Sequence, residues 1–258
     1  MVVLVAMVAA GCGGGDSTGA TDDTQITTAA SQPTAPATTK NVPTPTPTTP
    51  KPTMDVGKLP AKQVLTKAQA AAKAAANVHV KGAMTDGADR MGLDLRLTKT
   101  AGSGSVTVNG DTISLIVIGR TAYLKMSDSF WRHQSKSKAE ANAAIQLIDG
   151  RWIKTSLDDK DWRDFAMLGT KTEFFDSLLE DTGSLRKIKQ RTVDGVACVG
   201  LGDSDGTLWV ERSTARPVRI ESPGKSGTDA LSFTEYNQVK TPKAPAADQT
   251  IDGDALGN

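Results

Sequence analysis

Histidine and cysteine are scarce, with two of each in 258 residues. His79 and His133 stand in no H-E-x-x-H or similar spacing, so neither reads as part of a metal site. No G-x-S-x-G marks an activated serine. Gly224-Lys225-Ser226 copies the end of a phosphate-binding loop, but Arg219 stands where that loop needs its first glycine. Asp158, Asp159 and Asp161, like Asp203 and Asp205, read as turn and helix-capping residues rather than metal ligands. Catalysis is therefore not expected, nor any metal or cofactor. Aromatic side chains are also few: five Phe, four Trp and two Tyr cannot build a convincing platform for nucleic-acid bases. A formal net charge of +1 lacks the concentrated basic surface that nucleic acid requires, which excludes it as the main partner. The one dense basic run, Arg186-Lys187-Ile188-Lys189, interleaves charge with an apolar residue and reads as the solvated face of a strand.

What is present begins at the N-terminus. Residues 1–11 are uncharged and apolar and end in small residues directly before Cys12. That is the apolar region and cleavage site of a secretory signal. The run is far shorter than the roughly 20 residues of a membrane-spanning helix. Ala9-Ala10-Gly11-Cys12 resembles the lipobox of bacterial lipoproteins, where a diacylglyceryl group is attached to the cysteine thiol. Ala9 departs from the commonest residue at its place, leucine. No Lys or Arg precedes the apolar run, as expected if the natural start lies some residues upstream. The resemblance implies a lipid anchor at Cys12 and a place on the outer face of the cytoplasmic membrane. Two acyl chains give stable residence there, at about 0.8 kcal/mol per buried CH₂.

Residues 12–55 form the next unit. From Gly13 they are almost entirely Thr, Pro, Ala, Gly, Ser and Asp, with too little apolar surface to offset the entropy of ordering a chain. This composition predicts a disordered stalk. Its Pro-Thr repeats at 43–47 favour extended polyproline II, so some 40 residues could reach roughly 120 Å. Cys198 lies far away in the remaining domain, residues 56–258. With Cys12 acylated it stands alone, in an apolar strand, and reads as a small hydrophobe. Nothing nearby in sequence would lower its pKa.

Within that domain, residues 62–76 predict an Ala-rich amphipathic helix. Leu93, Leu95 and Leu97 alternate with polar neighbours, the period of a half-buried strand. Asn109-Gly110 is a strong hairpin signal, leading into a strand at 111–118 that carries Ile113, Leu115 and Val117. Residues 121–126 continue the meander. Helical periodicity follows at 138–148, 161–168 and 173–180, with Trp152 on an extended segment between. Strand signals resume at 185–190, 196–201, 206–211, 216–221 and 230–236, the first two flanking a turn at Val193-Asp194-Gly195. The tail after about 242 is polar and reads as loose. The pattern predicts an α+β domain with one large antiparallel sheet of about ten strands, curled, with helices on its concave face.

This order resembles the LppX/LprAFG lipoproteins of mycobacteria and, more distantly, the LolA and LolB lipoprotein carriers. The local match runs through Val193-Asp194-Gly195-Val196-Ala197-Cys198-Val199, then Thr207-Leu208-Trp209-Val210, then Arg216-Pro217-Val218-Arg219-Ile220. A second anchor is Gly119-Arg120-Thr121-Ala122-Tyr123-Leu124 before Trp152-Ile153-Lys154. Glu211 and Arg216 replace the family's usual Asp and Leu. The resemblance covers about residues 60–240 and implies a half-open β-barrel enclosing an apolar cavity that holds a lipid or acylated molecule for movement within the envelope. A diacyl lipid of about 30 methylenes would otherwise expose roughly 20 kcal/mol of apolar surface to water. Candidate wall residues are Leu93, Leu95, Leu97, Ile113, Leu115 and Val117 on strands, with Phe174, Phe175, Leu178 and Leu179 on the covering helix. Periodicity shows which face is apolar and leaves open whether the space behind it is a cavity or a filled core. A filled core would instead suit an envelope scaffold or sensor with a protein partner.

Overall fold

The computed structural model describes residues 54–256, apart from 87–88, 159–161, 180–184, 204–205 and 225–226. Cys12, the leader at 1–11 and the stalk up to residue 53 lie outside the described residues, as do Asp159, Asp161, Glu180 and Asp205.

Alternation becomes strand wherever a turn lets the chain reverse. Helix α1 (Ala61–Ala74) leads into β1 (Asn77–Asp86), β2 (Asp89–Thr98), β3 (Ala101–Val108), β4 (Asp111–Ile118) and β5 (Thr121–Met126). A helical excursion follows, α2 (Asp128–Gln134) and α3 (Lys138–Ile148), before β6 (Trp152–Ser156). Then come a 3-10 turn at Arg163–Leu168, α4 (Lys171–Leu178), β7 (Arg186–Val193), β8 (Val196–Gly202), β9 (Thr207–Glu211), β10 (Pro217–Gly224), β11 (Gly227–Thr234) and the short β12 (Thr250–Asp252). Both hairpin signals hold: Asn109-Gly110 and Asp194-Gly195 each have positive φ at both positions, the two-residue turn whose twist matches the flanking strands.

The strands form one open, curved sheet in the order β12-β6-β5-β4-β3-β2-β1-β11-β10-β9-β8-β7. Every pairing is antiparallel except β12 with β6. Two meanders are thus joined where β1 pairs with β11, for example Val80 opposite Phe233. Curvature has a local source. Gly82 on β1 and Gly104 on β3 flank β2 with φ near +150°, and a Cβ at either would lie 1.9 Å from the carbonyl oxygen of Ala230 or Asp94. Only glycine lets the strands approach and bend there.

Topology also dictates the covering layer. β6 lies next to one edge of the sheet and β7 is the other edge, so the connecting chain must cross the whole sheet. It crosses on the apolar face, where Phe165, Leu168, Phe174 and Phe175 join the same buried cluster as the strands. α1 lies over that face too, through Val64, Leu65, Ala68 and Ala72.

Several expectations needed correction. The sheet has twelve strands rather than ten. The tail is not wholly loose: Thr250–Asp252 pairs with Trp152–Lys154, a three-residue strand too short to show a period. Helix α2 stands where no helix was expected, since its seven residues include no buried one and show no apolar stripe in the sequence; His133 lies in its last turn.

Candidate functional site

The concave face gathers the candidate residues from three separate elements. Leu93, Leu95 and Leu97 on β2 and Ile113, Leu115 and Val117 on β4 point to one side, because side chains two apart share a face. Phe174 and Phe175 on α4 and Leu179 at its C-cap meet them from above, and half-buried Leu178 packs at the margin. All belong to a single apolar cluster. Phe175 sits 5.3 Å from Phe233 of β11, ring centre to ring centre, which fixes α4 over the junction between the meanders. A void wide enough for an acyl chain would leave its lining accessible to a water-sized sphere. At Leu95, Leu97, Leu115 and Val117 the accessible fraction is 0%, so other side chains close on these four.

The bonding of the helix layer is divided. Lys171, in the first turn of α4, is completely buried, and its Nζ donates to the carbonyls of Ala72 (2.7 Å) and Lys73 (3.0 Å) at the C-terminal end of α1. Those carbonyls have no partner within their own helix and carry the negative end of its dipole. Burial lowers the Lys171 pKa, Lys99 and Lys73 add to this, and Asp176 opposes it. Gln69 of α1 in turn donates to the carbonyl of Leu179 (2.8 Å), and Lys73 pairs with Asp176 (3.0 Å). Among the described residues, the hydrogen bonds and ion pairs of α1 and α4 run within or between these helices. Their contact with the strands is apolar.

Sequence reasoning missed Lys171, since a lysine opening a helix reads as solvated. It also passed over concave-face residues such as Val199 and Leu201 on β8, Val210 on β9 and Leu231 on β11, although their alternation was visible.

The opposite face carries ion pairs and a small second apolar cluster. His79 lies between Asp94 (2.8 Å) and Glu235 (3.1 Å), and Asp94 also binds Lys81 (2.9 Å). Burial opposes ionisation of Asp94, but hydrogen bonds from Lys81 and His79 outweigh it and hold its carboxyl below the usual range. His133 pairs with Asp111 (2.8 Å). Both histidines are thus held by neighbouring carboxylates. Cys198 belongs to a small second cluster with Val193, Trp209 and Val218, roofed by the Arg191 guanidinium 4.0 Å above the Trp209 ring. Burial pushes its thiol up to about 11, so the nucleophilic thiolate is scarce at neutral pH. Among the described residues no cluster of His, Cys, Asp and Glu is arranged to hold a metal ion, and no helix is long and apolar enough to cross a membrane.

No protein-family model matches the sequence, and no curated protein does either. Among solved structures, the chain is similar in fold to LprF from Mycobacterium bovis, with 14% identity, a TM-score of 0.45, and coverage of 72% of this chain and 97% of that one. The lipoprotein LppX of Mycobacterium tuberculosis matches at 15% identity and a TM-score of 0.42, covering 70% and 98%. A LolA-superfamily protein from Nitrosomonas europaea matches at 16% and 0.23, covering 72% and 96%. None reaches a TM-score of 0.5, so the fold stands on this chain's own strand order and register.

Proposed function

We propose that this chain is an extracytoplasmic lipoprotein, anchored through Cys12, that binds the acyl part of a lipid between the curved sheet and its helix layer and carries it within the cell envelope. The division of bonding in that layer supports this reading best. Parting α1 and α4 from the strands breaks no hydrogen bond seen among the described residues, while the two helices stay joined to each other. An acyl chain entering the gap exchanges one apolar contact for another and strands no polar group. The tightly packed arrangement is the closed form in this scheme. Each methylene taken from water contributes about 0.8 kcal/mol toward opening it.

Titration of the domain with a diacyl lipid carrying a fluorescent chain tests the proposal. Saturable binding near one lipid per protein is expected, together with its loss in a folded Leu115→Asp variant. The rival reading is a scaffold or sensor for a protein partner, favoured by the complete closure at Leu95, Leu97, Leu115 and Val117. A folded domain that takes up no lipid would establish that reading over the first.

A further inference from the structure

We propose that the edge of the sheet formed by β7, together with the segment leading into α1, docks on an anionic bilayer surface. Asp55 is the only carboxylate in residues 54–76 and 185–193. The same stretches carry Lys58, Lys62, Arg186, Lys187 and Lys189, all exposed. The structure brings the two stretches together: Lys187 Nζ donates to the carbonyls of Gly57 (2.7 Å) and Leu59 (3.1 Å), and Gln190 reaches Gly57 (3.4 Å). The lone acid is already occupied, held by a two-pronged contact from Arg212 (3.0 and 2.6 Å) that keeps its carboxyl below the usual range. Among the described residues, Lys58, Lys62, Arg186 and Lys189 take part in no ion pair. Four positive charges that take part in no ion pair among the described residues thus lie in two stretches that meet at one edge of the sheet.

Lysine on an edge strand also discourages pairing with other sheets. That role accounts for β7 alone, whereas Lys58 and Lys62 belong to a different element and add to the same patch. Position selects the occupant. The patch lies where the 53 residues that begin with the leader and Cys12 join the domain. The inference rests on Cys12 being the lipid anchor, because the anchor makes the bilayer the nearest large anionic surface. Tethering raises the effective concentration of that surface, so a weak electrostatic contact suffices. Each basic side chain near anionic headgroups strengthens binding by roughly fivefold.

The test uses the mature chain from residue 12 carrying Cys12→Ala, which cannot be acylated. It is sedimented with vesicles of equal parts phosphatidylglycerol and phosphatidylcholine, or of phosphatidylcholine alone. Binding is expected to the anionic vesicles only, falling at least about tenfold between about 0.05 M and about 0.5 M salt. Lys62→Glu, Arg186→Glu and Lys189→Glu together should lower it at least about thirtyfold with thermal stability unchanged. Equal binding to both vesicle types, or an unaffected triple variant, overturns the proposal. So does stronger binding to a soluble acidic polymer, which would assign the patch to cell-wall polyanions. Palmitate labelling of the native chain checks the anchor separately, so the two failures are distinguishable.

Discussion

Replacing Lys171 by methionine should destabilise the domain by about 1–2 kcal/mol near neutral pH, and the deficit should widen as the pH rises. Methionine keeps most of the side chain's volume, so cavity formation contributes little. The change removes the ammonium and its bonds to the carbonyls of Ala72 and Lys73. Charge-assisted bonds of this kind contribute about 1.5–3 kcal/mol each. Burying one ammonium without a carboxylate costs several kcal/mol, which cancels much of that gain. The pH dependence carries the sharper test. The folded-state pKa of Lys171 lies below the ordinary lysine value of 10.5. Between the lowered pKa and 10.5 the unfolded chain holds the proton and the folded one does not, so wild-type stability rises with pH across that window. Below the window both states are protonated and the burial cost is present in full. Titration of the other lysines cancels in the difference between wild type and variant. Urea unfolding of both proteins at about pH 7 and about pH 10 measures it. A variant as stable as wild type at both pH values, or a gap that narrows with pH, would refute the reasoning.

Other outcomes follow from single residues. Cys12→Ala should abolish incorporation of labelled palmitate, and unchanged labelling would sink the anchor. Gly104→Ala should cost at least about 2 kcal/mol, because the new Cβ meets the Asp94 carbonyl oxygen at 1.9 Å and the strand must shift. A thermal melt within error of wild type would contradict that. With its thiol near 11, Cys198 holds only about one part in ten thousand as thiolate at pH 7. Its labelling by a thiol reagent should therefore wait on unfolding, and a fast phase in the native state would show that it is accessible and activated.

The sheet was legible because its signals are local. β2 and β4 alternate cleanly, and Asn109-Gly110 and Asp194-Gly195 announce their own turns. β3 is announced mainly by the Asn109-Gly110 turn at its end, because Ala101 to Gly104 offers no apolar alternation. α2 and β12 escaped because seven and three residues are too few to display a period. The pairing of β1 with β11 joins residues more than a hundred positions apart, and α4 crosses strands that are not its neighbours in sequence, which no local pattern records. Of the candidate site, the apolar identity of Leu93 to Leu97, Ile113 to Val117 and Phe174 to Leu179 was readable. Their packing was not, since periodicity names a face without describing what lies against it. Lys171 was invisible for a related reason: its burial is created by α1, which lies about a hundred residues earlier in the chain.

The most direct test is mass spectrometry of organic extracts from residues 54–258 purified from the native host. A bound lipid near one per protein, lost in a folded Leu95→Asp variant, is the expected result for a carrier. A well-folded domain that yields no lipid would contradict the carrier and leave the protein-binding scaffold in its place.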